Sequence, residues 1–233
     1  MLHAGALVSI VIPTLEEAHG IEETIKRIPI EELKRMGLDI EVIVVDGGSM
    51  DGTREIAEKL SAKVVLEPRR GYGRAYKTGF SHARGAIIVT LDGDGSYPSE
   101  LIPALIKFLV EKGFDFITTE RMAERGSMGA LRRLGNTWLS LTARALFKID
   151  LRDSQSGMWV FRRDVLKYIM PNNDGMGFSE EIKIRAFLSV KSIEVPIPYR
   201  KRRGKSKLKP FKDGISNLIY LFILWFKLRS AGR

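Results

Sequence analysis

Four short apolar, β-rich runs in the first half of the chain, at residues 7–12, 40–45, 63–66 and 87–91, alternate with segments of helical period. Strands joined by helices return parallel to one another through right-handed crossovers. The alternation therefore predicts an α/β protein with a parallel twisted sheet and helices on both faces. The helices are expected at residues 16–27, where Ile21, Ile25 and Ile28 recur at helical spacing, and at 54–60, 74–83 and 100–112. A fifth strand is expected at 114–119, after which the regular alternation fades. The spacing of Leu131, Leu134, Trp138, Leu141 and Ala145 predicts a helix over 129–147 whose apolar face packs on the core. A strand follows at 158–161 and a helix opens near 178, with Ser179 or Asn173 as its cap. Residues 193–199 are extended, because Pro196 and Pro198 forbid helix there.

Open α/β sheets bind ligands beyond the carboxyl ends of their strands. Three such ends carry ligand-suited residues, at 13–17, 46–51 and 92–94. The third is the most telling: the buried-strand run Ile87-Ile88-Val89-Thr90-Leu91 leads straight into Asp92-Gly93-Asp94-Gly95. Two carboxylates at that spacing suit a hard divalent cation, Mg²⁺ or Mn²⁺, which keeps positions open for substrate phosphates. The same residues also suit an acidic turn that caps the next helix, and the run alone leaves both readings open.

Composition narrows the partners. The 233 residues, 44% of them hydrophobic, fit one domain with a real core. With no cysteine and only His3, His19 and His82, any metal must sit on oxygen. A net charge of +10 calls for an anionic partner: nucleic acid, a phosphorylated small molecule or an anionic membrane. Residues 200–212 hold eight Lys or Arg, and 218–226 are nine apolar residues without a break, far short of the roughly 20 that span a bilayer. Such a tail reads as an interfacial helix on a membrane surface or as a helix docked on the core or a partner. No signal peptide precedes the first strand, so a cytoplasmic location is expected. The stretch at 71–78 fails the P-loop pattern at Tyr76, and the 92–97 stretch lacks a calcium loop's glycine at Tyr97. No nucleic-acid-binding motif accompanies the basic residues, and no nucleic-acid partner is expected.

Val11-Ile12-Pro13-Thr14-Leu15-Glu16-Glu17, then Val44-Val45-Asp46-Gly47-Gly48-Ser49-Met50-Asp51-Gly52-Thr53, then Leu91-Asp92-Gly93-Asp94 resemble, in order, the two nucleotide-binding segments and the Asp-x-Asp metal motif of the family-two inverting nucleotide-sugar glycosyltransferases. The resemblance covers almost the whole chain and implies their GT-A fold. Asp153-Ser154-Gln155-Ser156-Gly157 and the basic stretch from Arg202 to Leu208 are similar to the polyprenyl-phosphate (dolichyl-phosphate) mannose and glucose synthases of that family. The chain departs from the usual pattern at Glu16 (commonly Asn), Gly47 (commonly Asp) and Ala86 (commonly Asp). It also lacks the transmembrane helices of some members, so the catalytic unit alone is expected.

The resemblance implies transfer of a hexose from a GDP- or UDP-sugar to a polyprenyl or dolichyl phosphate, on the cytoplasmic face of an anionic membrane. It implies donor contacts at Pro13, Thr14, Glu16, Glu17, Asp46, Gly48, Ser49, Asp51, Gly73, Asp92, Gly93 and Asp94. Asp92 and Asp94 would hold Mg²⁺ or Mn²⁺, with Gln155, Glu180, Arg202 and Lys207 as further catalytic residues. Residues 1–212 would form the GT-A domain, with a nucleotide-binding half at 1–119 and an acceptor half with the basic loop at 120–212. Residues 213–233 would form the terminal amphipathic helix. A lipid phosphate is already anionic and needs no general base, whereas a hydroxyl acceptor, soluble or on a glycan, would need one. Asp153, Glu180 and Glu181 are the candidates, although the two glutamates equally suit a helix N-terminus. Metal-dependent nucleotidyl transfer is the alternative from another class.

Overall fold

Val8, Ile10 and Ile12 of the first strand pack into one core with Val44, Ile87 and Val89 of its neighbours, while Val11, Ile43, Val45 and Ile88 pack into a second core on the opposite face. These strands are apolar on both sides, which is why they read as unbroken apolar runs. The computed structural model describes residues 5–124, 126–204 and 210–231. The strands are β1 (Ala6–Thr14), β2 (Leu38–Asp46), β3 (Lys63–Leu66), β4 (Ile87–Thr90), β5 (Phe116–Ala123), β6 (Trp159–Arg162) and β7 (Ser192–Tyr199). They form one seven-stranded sheet in the order β3-β2-β1-β4-β6-β5-β7. The first four are mutually parallel, β6 runs antiparallel to both β4 and β5, and β7 is parallel to β5.

Helices α1 (Ala18–Lys26), α2 (Ile30–Arg35), α3 (Thr53–Lys59) and α5 (Ile102–Glu111) cover the first core. Helices α4 (Tyr72–His82), α7 (Leu166–Ile169) and α8 (Phe178–Ser189) cover the second. The register sets Thr14 level with Asp46, and Asp46 level with Leu66, so the carboxyl ends of the parallel strands meet on one rim. The mostly parallel sheet with helices on both faces is the α/β architecture that the sequence predicts.

Helices α6 (Ala130–Phe147) and α9 (Pro210–Ala231) stand apart. Leu139, Ala143 and Phe147 of α6 pack with Leu221 and Leu224 of α9 and Ile184 of α8 in a third, smaller cluster. The face expected to pack on the core is therefore not the one that does. Leu131, Leu134, Trp138 and Leu141 are exposed, Trp138 by 65%. The i, i+4, i+8 row at 139, 143 and 147 is the one that meets α8 and α9. Along α9, Asn217, Leu221 and Leu224 are buried, while Ile215, Ile219, Phe222 and Phe226 face outward. One face of this helix thus docks on the body and the other is bare. No helix among the described residues is long and apolar enough to cross a membrane.

Candidate active site

Asp92 and Asp94 occupy the turn that leaves β4, on the floor of a cleft of about 880 Å³. Helix α1 presses against this turn: a Cβ on Gly20 would lie 2.6 Å from the Asp94 backbone, so only glycine fits. Asp94 is buried, and its Oδ1 accepts the Ser96 N–H at 3.0 Å and the Ser96 hydroxyl, which aligns the carboxylate. Its Oδ2 faces Arg202 Nη1 at 3.5 Å. Asp92 Oδ1 accepts a hydrogen bond from the Tyr72 hydroxyl at 3.5 Å. Burial, with Asp94 and Glu17 adding repulsion, pushes the Asp92 carboxyl up to about 7 against the pull of Arg121 and Arg202. Two carboxylates crowded in this way favour a cation between them. No group of three or more His, Cys, Asp or Glu able to hold a metal occurs among the described residues. The two carboxylates offer hard oxygen atoms of the kind that Mg²⁺ or Mn²⁺ accepts.

The loops at 13–17 and 46–53 are stitched together. Glu16, at φ +53°, donates its N–H to Ser49 Oγ at 2.8 Å and accepts from the Met50 N–H at 2.8 Å. The Glu17 N–H reaches Thr53 Oγ1 at 2.9 Å, and the Ala18 N–H reaches Asp51 Oδ2 at 3.0 Å. Asp46 is fully buried and accepts from the Gly48 and Ser49 N–H groups, the Ser49 hydroxyl and the Thr14 hydroxyl. Asp46, Ser49 and Asp51 thus brace the loops, and Pro13, Thr14, Leu15, Glu17 and Gly47 form the cleft wall. Gly73 sits against α8, where a Cβ would lie 2.6 Å from Phe178 Cβ, and it does not line the cleft.

Glu67 and Arg69, which the motifs did not point to, also line the cleft. Glu67 accepts from Arg69 Nε at 2.7 Å and from the Thr78 hydroxyl at 2.6 Å, and these donors hold its carboxyl down at about 2. A depressed folded value stabilises the fold above the ordinary 4.5 and loses that contribution as pH falls toward about 2. Thermal scans should accordingly find Glu67→Gln melting below wild type at neutral pH and level with it near pH 2.

On the other side, Arg121 at the end of β5 grips Asp153 with two hydrogen bonds, 2.7 Å from Nε and 2.9 Å from Nη2, and lies 5.2 Å from the centre of the Tyr199 ring. Arg121 lines the cleft together with Gln155. Gln155 Nε2 donates to Glu180 Oε1, and Asn217 Nδ2 donates to Gln155 Oε1 at 3.2 Å. Glu180 is fully buried and its Oε2 has no partner among the described residues; burial pushes its carboxyl up to about 8 against the pull of Lys183 and Gln155. Lys183, fully buried, donates to the Ser156 carbonyl at 2.7 Å and pins the 153–157 turn. Glu181 accepts from Arg185, Tyr220 and the Asn172 and Asn173 N–H groups. All three carboxylates considered as general bases are therefore engaged, Asp153 by Arg121, Glu180 by Gln155 and Glu181 by Arg185 and Tyr220, and none lines the cleft.

Arg202 reaches over the floor, its Nη2 donating to Glu17 Oε1 at 3.0 Å. Lys207 lies outside the described residues. The structure thus gathers Pro13, Thr14, Glu17, Asp92, Gly93, Asp94, Gln155 and Arg202 around one cleft. Glu16, Asp46, Gly48, Ser49, Asp51 and Glu180 do not line it; Asp46, Ser49 and Glu180 are buried, while Glu16, Gly48 and Asp51 are exposed.

Residues 9–170 match the family model described as glycosyl transferase family 2. The chain belongs to this family. Membership makes it a glycosyltransferase and sets aside the nucleotidyl-transfer alternative. A curated relative, the dolichyl-phosphate hexose transferase of Haloferax volcanii, is 36% identical over 176 residues, which is 75% of this chain and 76% of that protein. The dolichol-phosphate mannosyltransferase of Pyrococcus furiosus is 34% identical over 213 residues, 87% of this chain but 59% of that protein, so the family 2 chain spans less than two thirds of it. Among solved structures, glucosyl-3-phosphoglycerate synthase of Mycobacterium tuberculosis in complex with Mn²⁺, UDP and glucosyl-3-phosphoglycerate superposes with a TM-score of 0.76 at 25% identity, covering 95% of this chain and 80% of that one. The same synthase with Mg²⁺ and UDP superposes with a TM-score of 0.72 at 25% identity, covering 94% and 80%.

Proposed function

We propose that this glycosyltransferase moves mannose or glucose, with inversion, from a GDP- or UDP-sugar to a polyprenyl phosphate such as dolichyl phosphate at a membrane surface. The observation that carries the reading is the shape of the cleft mouth. Its floor is carboxylate and arginine, while Leu131, Leu134, Trp138 and Ile215 line its outer wall and are at the same time exposed on α6 and α9. An acceptor with an anionic head and an apolar tail fits that gradient. Because Asp153, Glu180 and Glu181 are spoken for, an acceptor that is already anionic also suits the site better than a hydroxyl awaiting deprotonation. The Haloferax and Pyrococcus relatives, named for dolichyl phosphate and dolichol phosphate, support the same acceptor.

Asp94 and Asp92 hold Mg²⁺ or Mn²⁺ in this reading. The ion, when bound, neutralises charge on the departing nucleoside diphosphate. The braced loops at 13–17 and 46–53 hold the nucleotide, and Glu17, linked to Arg202, orders the basic strap over it. Arg121, fixed by Asp153 and Tyr199, offers its remaining N–H groups to an acceptor phosphate. Gln155 is oriented by Glu180 and Asn217. Residues 1–119 serve the donor, 120–212 the acceptor, and 213–233 the membrane. The apolar faces of α6 and α9 rest on the cytoplasmic face of the bilayer, with Arg132, Arg133, Lys227 and Arg229 meeting anionic headgroups. The synthase structures favour a second reading, a soluble phosphorylated acceptor, in which those faces would have no role.

Vesicle co-sedimentation separates the two readings. Wild-type protein should sediment with phosphatidylserine-containing vesicles. A Leu134→Glu/Trp138→Glu variant, altered only at exposed positions, should lose roughly tenfold or more of that binding while keeping its melting temperature. Equal binding by both proteins would refute the membrane face.

A further inference from the structure

Asp94 offers one oxygen to the cleft, and a cation from the chain itself already covers it. Oδ1 is committed to Ser96, so Oδ2 is the ligand available to a metal, and Arg202 Nη1 stands 3.5 Å from it. The placement is built in. The Arg200 N–H donates to the Ser96 carbonyl at 3.0 Å and the Arg203 N–H to the Asp94 carbonyl at 2.8 Å, so the 200–203 strap is sewn to the metal turn by its backbone. Side chains reinforce the seam: Arg200 pairs with Glu100, and Arg203 Nε donates to Glu23 at 2.8 Å. Arg202 itself is held from a second direction by Glu17, while its Nε is buried with no acceptor among the described residues. A buried donor without an acceptor is costly, and a phosphate oxygen would satisfy it.

We infer that Arg202 is an internal counter-cation that competes with the metal for Asp94, so that metal loading waits for the nucleotide. This rests on the assignment of the metal to Asp94 and Asp92. A small divalent cation such as Mg²⁺ sits at about 2.0–2.1 Å from a carboxylate oxygen. A guanidinium on the same oxygen would then lie within a few ångströms of it, where two positive charges repel strongly in a partly desolvated site. Arg202 must therefore give up Oδ2 when a metal takes it. A nucleoside diphosphate supplies a new anionic partner for the displaced guanidinium, which can move from carboxylate to phosphate and still hold Glu17. Metal and diphosphate thus bind with positive coupling, and by linkage each raises the affinity of the other. The arrangement keeps the carboxylate pair partly neutralised before the donor arrives and returns Arg202 to Asp94 after the diphosphate leaves.

The test is Mn²⁺ binding by the full chain, read from the electron paramagnetic resonance signal of free Mn²⁺, with and without UDP or GDP. Without nucleotide, Arg202→Gln should bind Mn²⁺ about tenfold more tightly than wild type, because a repelling charge is gone. With a diphosphate present, that advantage should disappear. Arg202→Lys, which keeps the charge, should stay within about twofold of wild type without nucleotide, and thermal melts confirm that each variant is folded. If Arg202→Gln binds Mn²⁺ alone no better than wild type while both bind it with a diphosphate, the competition is wrong and the metal assignment stands. Arg202→Lys behaving like Arg202→Gln would likewise overturn it. If neither protein binds Mn²⁺ even with a diphosphate, the metal assignment falls and the inference with it.

Discussion

An Asp94→Asn protein is expected to fold like wild type and to lose about a thousandfold in kcat/KM for sugar transfer, at every Mn²⁺ concentration tried. The substitution keeps an oxygen for the Ser96 N–H and hydroxyl, so the turn that leaves β4 survives. What disappears is the negative charge on the oxygen that faces Arg202. A neutral amide binds a hard cation poorly, and raising the metal concentration cannot replace a ligand that aligns the departing diphosphate. The loss should fall mainly on kcat, because the loops at 13–17 and 46–53, the proposed nucleotide contacts, are untouched. Product formation across an Mn²⁺ series, alongside a thermal melt, checks both halves. Activity within tenfold of wild type would remove Asp94 from the leaving-group site.

The second large effect is on stability. Arg121→Met should cost about 3–5 kcal/mol, because it strands a buried carboxylate. In a chain of this size that lowers the melting temperature by about 10 °C. Asp153 is 9% exposed and depends on Arg121 for three hydrogen bonds, two from the guanidinium and one from the N–H at 3.1 Å. Burial alone would push its carboxyl up, yet Arg121, with help from Lys183, holds it below the ordinary value. The pH dependence follows with a definite sign. In wild type the Asp153 contribution is present above the ordinary carboxyl value and is lost as pH falls through the lower folded value. In Arg121→Met the same carboxyl is raised, so the variant gains stability as it protonates. The gap in melting temperature should therefore narrow as pH is lowered from 7 toward 4. Arg121→Met/Asp153→Asn should recover part of the loss at pH 7, since the second change removes the stranded charge. A single variant that melts with wild type would show that the pair contributes little.

The parallel half of the fold was legible because its strands are buried on both faces. The runs at 7–12, 40–45, 63–66 and 87–91 appear as β1, β2, β3 and β4, and they end where the carboxylates begin. The second half was less legible for two reasons. A four-residue strand such as β6 carries no signal of its direction, so its antiparallel insertion between β4 and β5 is a tertiary fact. Periodicity also shows which residues of α6 share a face but not what covers them, and the stripe through Trp138 turned out to face outward. Within the site, the strand-end carboxylates were readable because they belong to local motifs. Arg121 was not, since its partner lies 32 residues away and its strand runs four residues past the expected end at 119. The bracing roles were equally hidden: the sequence marks Asp46 as a strand-end carboxylate, but only the geometry shows it accepting from Gly48, Ser49 and Thr14.

The most direct test of the acceptor is a transfer assay. The purified chain, Mn²⁺ and phosphatidylserine vesicles carrying a polyprenyl phosphate are supplied with GDP-mannose, GDP-glucose or UDP-glucose labelled in the sugar, with 3-phosphoglycerate present as a soluble competitor. Label on the lipid phosphate, with inverted anomeric configuration and dependent on the metal, is the result predicted. Label on the soluble phosphorylated acid, with the polyprenyl phosphate left untouched, would contradict the account.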